Sequence, residues 1–199
     1  ESLVESIIGR PMDLQGEGTL VAIATAPGAR SIPSNVRLYD VSDPQAPQWV
    51  GAVTLANSAG QGAVTRIDLR GERLYAATQR RGIQVVDVGI MRSNFVPCCS
   101  AQHFQMLNDM NLDGNQFNGE AIVQTIPVAG PNGLTAFFSG IKSLPQGNDP
   151  LIVATGNFGL TLARESSGTP VFTGALTKAP YTLTYGTALA TATVAGGCS

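Results

Sequence analysis

The segment Leu74–Val85, LYAATQRRGIQV, and the segment Leu151–Leu162, LIVATGNFGLTL, share Leu, Ala-Thr, Gly and an alternating aliphatic pair in one register. Near the N-terminus, VAIATA (Val21–Ala26) repeats the Ala-Thr element, and its partner VRLYDV (Val36–Val41) resembles IQVVDV (Ile83–Val88). Two further matches extend the unit. MDLQGE (Met12–Glu17) parallels IDLRGE (Ile67–Glu72). PQWVGAV (Pro47–Val53) parallels PVFTGAL (Pro170–Leu176), which sets Trp49 against Phe172 and Gly51 against Gly174. In the first unit the alternating stretches run Met12–Leu14, Val21–Thr25, Val36–Val41 and Trp49–Leu55. Alternation of period two marks half-buried strands. Four such strands repeating every roughly 40–50 residues are the signature of β-propeller blades, with a β-sandwich as the competing arrangement.

Composition agrees with an all-β chain. Only 13% of residues are charged, against about 25% in an average globular protein, and 23 Gly and 12 Pro supply many turns. The 199 residues are enough for one sizeable core, so residues 1–199 are read as one partial propeller domain. Its first blade covers about 11–56 and its second about 64–130, with an insertion at about 89–120. A third lies at about 134–178 and a half blade at 180–195. About three and a half blades leave sheet edges open. The expectation is closure by a second copy, a homo-oligomer with a dimer favoured; a four-bladed ring or a fragment of a longer protein are the alternatives.

The stretch LYDVSDPQAPQWVGAV (Leu38–Val53) is similar to the LVIVD repeat, in which an aliphatic strand is followed by Asp-Val-Ser-Asp-Pro, a Pro and an aliphatic-Gly ending. The second unit keeps VVDV and departs at Gly89; the third has Arg164 roughly where the Asp would stand. The resemblance covers roughly 11–195. It implies a β-propeller and a secreted, periplasmic or cell-surface setting in bacteria or archaea, and brings no catalytic residues. Asp40 and Asp87 end strands, where an Asp carboxylate accepts backbone N–H bonds in the next turn.

The insertion holds DMNLDGNQFNGE (Asp109–Glu120), which has the spacing of a calcium loop. Asp109, Asn111 and Asp113 alternate so that their oxygens converge, Gly114 allows the turn, Asn115 offers its carbonyl and Glu120 closes the shell. Phe117 has no side-chain oxygen, so a water would complete the site. A bare Asn/Asp/Gly turn is the alternative. A strand-like run with Pro127 comes next, so the loop is an excursion from a blade and not an EF-hand.

PCCSAQH places Cys98, Cys99 and His103 close together. The readings are a vicinal disulfide, a bridge from one of them to Cys198, inert thiols, a thiolate activated by His103 as acid/base, or a transition-metal ligand. As the only histidine, His103 excludes a multi-histidine zinc centre within one chain. Arg80–Arg81 reads as a solvated turn, and Trp49 and Phe172 as core. With a net charge of −2 and no basic stripe, nucleic acid is not an expected partner. No apolar run is long enough for a membrane helix. The chain opens at Glu1 with no signal peptide, so ends that are processed, or cut from a longer chain, are expected.

Two functions are consistent with these features. The first is an extracytoplasmic binding or scaffold module stiffened by Ca2+. The second is a metal-dependent hydrolase of the lactonase, phosphotriesterase or esterase type, with its site in the propeller channel.

Overall fold

Strands of alternating Val, Ile, Leu, Tyr and Thr pair with their sequence neighbours to give antiparallel sheets. The computed structural model describes residues 10–26, 34–56, 63–79, 81–93, 121–128, 136–157, 159–174, 181–184 and 191–194. The first sheet takes β1 (Arg10–Glu17), β2 (Leu20–Ala26), β3 (Ser34–Asp40) and β4 (Gln48–Ala56) in that order. The second takes β5 (Val64–Arg70), β6 (Arg73–Thr78), β7 (Gly82–Asp87) and β8 (Ile122–Ile126), with helix α1 (Val88–Ser93) between β7 and β8. The third takes β9 (Phe138–Leu144), β10 (Leu151–Gly156), β11 (Gly159–Arg164) and β12 (Pro170–Gly174). β13 (Tyr181–Thr184) and β14 (Thr191–Val194) form a separate pair. The described residues are therefore mostly β, in small antiparallel sheets of which three share one strand order.

The second sheet is buried on both faces. Alternate residues point to opposite sides of a strand, and β6 and β7 use this to feed two cores. Leu74, Ala76 and Val86 join Ala22, Ala24, Val36, Leu38 and Val53 of the first sheet. Tyr75, Ala77, Ile83 and Val85 join Phe138, Ile152, Ala154 and Ala163 of the third. β5 packs against both β1 and β9. The first strands thus bring the three sheets together.

Irregularities recur at matching places. Each first strand carries a register shift near its start, at Pro11/Asp13, at Val64/Arg66, and between the partners of Thr155 and Gly156, which are Gly140 and Phe138. Each last strand has one extra residue at a matching bulge, and it is a valine each time: Val50, Val123 and Val171. A bulge bends and twists its strand, so all three sheets are deformed in the same way.

This register corrects three of the sequence matches. Ala154–Thr155 does not lie where Ala77–Thr78 lies. Gly82 pairs with Thr78, whereas Gly159 pairs with Gly156, so the third sheet is slipped by one residue across a shorter hairpin. A one-residue slip moves side chains to the opposite face: Thr25 and Thr78 are buried, and Thr155 is exposed. MDLQGE is displaced from IDLRGE by two residues. The turn glycines Gly18 (φ 59°) and Gly71 (φ 54°) are equivalent, since each begins a two-residue hairpin that only glycine enters at low cost. Trp49 pairs with Tyr39 and Phe172 with Leu162, so Trp49 and Phe172 are not equivalent. Arg164, paired with Leu151, does stand where Asp40 and Asp87 stand, paired with Leu20 and Arg73.

Asp40 and Asp87 each cap the turn or helix beyond their strand. Asp40 Oδ1 accepts the Ser42 N–H at 2.9 Å. Asp87 Oδ1 accepts the Ile90 N–H at 2.9 Å, the bond of a helix N-cap residue. The departure from the repeat at Gly89 is the first turn of α1.

Candidate functional site

The edge strands β5 and β9 would leave one row of backbone groups unpaired. Side chains of the neighbouring sheet fill that row. Asp13 Oδ2 accepts the Ile67 N–H at 2.9 Å, and Glu17 accepts the Gly71 N–H. Arg66 Nε donates to the Ser139 carbonyl at 2.9 Å, and Arg70 donates to the Ser143 carbonyl at 3.2 Å. Asp68, almost wholly buried, takes the Ser143 N–H at 2.7 Å, its hydroxyl at 2.5 Å and Lys142 Nζ at 2.5 Å. These polar groups hold sheet to sheet.

A cleft of about 370 Å³ opens between the second and third sheets. Arg73, from the start of β6, and Val123 and Gln124, from the bulge of β8, form one wall. Asn148 and Asp149, from the β9–β10 loop, and Glu165 and Ser166, from the turn after β11, form the other. Arg73 is bound to Asp87 and, at 2.9 Å, to Glu165 Oε1. The Tyr75 hydroxyl donates to Glu165 Oε2 at 3.1 Å. Asp149 accepts the Ser166 hydroxyl at 2.7 Å and its N–H at 3.1 Å, while Arg164 donates to the Asp149 carbonyl at 2.9 Å.

These contacts set the charge states. Burial opposes the charged form of Arg73, but its bonds to Glu165 and Asp87 outweigh that and hold it above its ordinary value. Burial, then the Glu165 carboxylate, pushes the Tyr75 hydroxyl well up. The Ser166 hydroxyl and N–H hold Asp149 below the usual carboxylate range. The Ile90 N–H, helped by Arg73, does the same for Asp87. The cleft walls are therefore tied together by ion pairs and hydrogen bonds. Two side-chain amides in it stand apart: neither that of Gln124 nor that of Asn148 has a hydrogen bond among the described residues.

Asp109, Asn111, Asp113, Asn115, Glu120, Cys98, Cys99, His103 and Cys198 fall outside the described residues, as does Arg80. Among the described residues, no three His, Cys, Asp or Glu side chains converge as a metal site. No described helix is long and apolar enough to cross a membrane. Trp49 is half-buried; its Nε1 donates to the Gly51 carbonyl at 2.9 Å, and Arg37 sits 4.9 Å above its ring.

The cleft residues were not singled out by sequence reasoning. One signal for Arg73 exists: it stands where the other two sheets carry Leu20 and Leu151. An arginine at a position the repeat fills with leucine points to a local role. No family model matches the sequence, and no curated protein is similar to it.

Proposed function

We propose that this chain is a propeller-type binding or scaffold module of the LVIVD kind, acting outside the cytoplasm, with Ca2+ at Asp109, Asn111, Asp113, Asn115 and Glu120 stiffening the insertion. The observation that carries the propeller reading is the threefold recurrence of one four-strand order with its bulges in matching places, stacked through first strands. Blades of a propeller meet in that way. The scaffold reading draws support from how acids are used: Asp13, Glu17, Asp68, Asp87, Asp149 and Glu165 each bind a backbone N–H, a hydroxyl or a cation. Groups held this way build structure.

A second copy completes the ring in this reading; among the described residues β13 and β14 form a two-stranded sheet. Light scattering of the purified chain tests it. The expected mass is twice the 20.6 kDa of the chain. A mass of one chain with a single cooperative melt would overturn association.

A further inference from the structure

The cleft between the second and third sheets combines rigid walls with free amides, and that combination selects a ligand class. Its acceptors are fixed. Glu165 is held by Arg73 and Tyr75, and Asp149 by Ser166. Each carboxylate oxygen keeps lone pairs beyond these bonds. The Gln124 and Asn148 side-chain amides each offer two N–H donors and a carbonyl acceptor, and neither is hydrogen-bonded among the described residues. Gln124 is seated over Gly168, where a Cβ would come within 3.0 Å of its Nε2. Val123, 45% exposed, adds an apolar side.

Charge removes two competing classes. Among the described residues, Arg73 is the one cation in the lining, and two carboxylates already share it. An anion would meet Asp149 and Glu165 with no unshared positive charge. A bare cation would find Glu165 already paired with Arg73, and among the described residues no third carboxylate, His or Cys converges with Asp149 and Glu165 to complete a shell. A hydroxyl group suits the lining, because it donates to a carboxylate and accepts from an amide together. Ligand sites span about 300–1,000 Å³, and this cleft, at about 370 Å³, lies at the small end.

We infer that this cleft binds an uncharged, hydroxyl-rich ligand the size of one sugar ring, positioned by Gln124 and Asn148 against Asp149 and Glu165. The inference rests on the binding-module reading and names what such a module would hold. It does not depend on ring closure, so the mass measurement and the ligand measurement can fail separately.

The experiment is a titration of the 15N-labelled full chain, followed at the Gln124 and Asn148 side-chain amides. The probes are D-glucose, D-galactose, D-mannose, N-acetyl-D-glucosamine and myo-inositol, each raised to the order of 10 mM, where weak binding registers. Saturable shifts of both amides with at least one probe are expected. Response to inositol as well as the sugars would assign the site to polyols in general; response to the sugars alone would assign it to pyranoses. Asn148→Ala and the near-isosteric Gln124→Glu should each weaken binding about tenfold, the worth of one well-made hydrogen bond. Their melting temperatures should stay at the wild-type value. No saturable shift with any probe would overturn the inference. So would unchanged affinity in both variants, or inorganic phosphate or calcium shifting the same amides at lower concentration than every neutral probe.

Discussion

Asp13 and Arg66 occupy the same position in successive sheets, carry opposite charge and do the same job. Each comes just after the bulge of a first strand, paired with the alanine of Ala24 or Ala77. Asp13 reaches forward to the Ile67 N–H, and Arg66 reaches forward to the Ser139 carbonyl. Four residues on, Glu17 and Arg70 repeat the exchange. A strand edge presents donors and acceptors alternately, so an acid or a base will serve, provided each aims at the right group. In the third sheet the two equivalent positions are Gly140 and Leu144, which carry no polar side chain. The device therefore ends at the third sheet.

This relationship predicts an asymmetric cost. Asp13→Ala leaves the part-buried Ile67 N–H without its acceptor and should cost about 1–3 kcal/mol in urea unfolding. Asp13→Asn keeps an acceptor oxygen and should cost less. Equal losses for the two variants would show that charge, and not the hydrogen bond, holds the sheets.

Tyr75 predicts alkaline behaviour. Its folded pKa is raised above the unfolded value of 10.0 by burial and by Glu165. A group raised in this way contributes stability that is complete below pH 10 and lost as pH rises through the folded value. Unfolding free energy should therefore fall above pH 10, and Tyr75→Phe should fall less steeply. Superimposable alkaline limbs would refute the assignment.

Asp87 predicts the acid limb. The Ile90 N–H and Arg73 depress its folded pKa below the unfolded 3.8. Its contribution is present above that value and fades as pH drops through the folded one. Asp87→Asn should start less stable at neutral pH and lose less between pH 5 and 2, a range set by ordinary carboxylates at about 3.9. An acid limb as steep as wild type would count against the N-cap and ion-pair roles.

The strands were legible because alternation is local. Val21–Thr25 and Val36–Val41 can be read without knowing their partners; the first falls in β2 and the second in β3 but for Val41, one residue beyond its end. Register was less legible, since Ala-Thr at 77–78 and at 154–155 looks identical on paper. What separates them is hairpin length, Gly82 pairing with Thr78 but Gly159 with Gly156. Helix α1 was hidden for a related reason. Asp87 reads as a turn residue in either case, and only the Ile90 N–H shows that it caps a helix. The cleft was least legible of all. Arg73 and Glu165 lie 92 residues apart and meet only because sheets stack.

The insertion gives a prediction of its own. If Asp109, Asn111, Asp113 and Glu120 hold calcium in the folded chain alone, free calcium at about 100 times Kd should add about 2.7 kcal/mol. Calorimetric titration should show this binding in the wild type and its loss in Asp109→Ala. Heats that match in the two proteins would remove the site. In saturating calcium, esterase turnover at the wild-type level in Asp109→Ala would mean that any hydrolysis belongs elsewhere.

Asp68 and Lys142 give the sharpest contrast, because equivalent positions of adjacent sheets carry the two halves of one ion pair. Asp68 pairs with Tyr75 within its sheet and Lys142 with Val153 within its own. The Asp68 side chain is 2% exposed, and that of Lys142 is 61% exposed. The two partners therefore stand in different solvents. Removing Lys142 takes away a charge that water screens, and exposed pairs contribute about 0–1 kcal/mol. Asp68 keeps the Ser143 N–H and hydroxyl after that loss. Removing Asp68 strips acceptors from both of those buried donors and leaves a cavity where the sheets meet. Each unsatisfied donor costs about 1–3 kcal/mol, so Asp68→Ala should lose about 2–6 kcal/mol and Lys142→Ala about 1 or less. Ser143→Ala should fall between them, because it removes one of Asp68's three bonds while leaving the backbone N–H in place. Denaturant unfolding of the three variants orders them. A loss for Lys142→Ala equal to that for Asp68→Ala would mean that the ion pair, and not the Ser143 bonds, fastens the second sheet to the third.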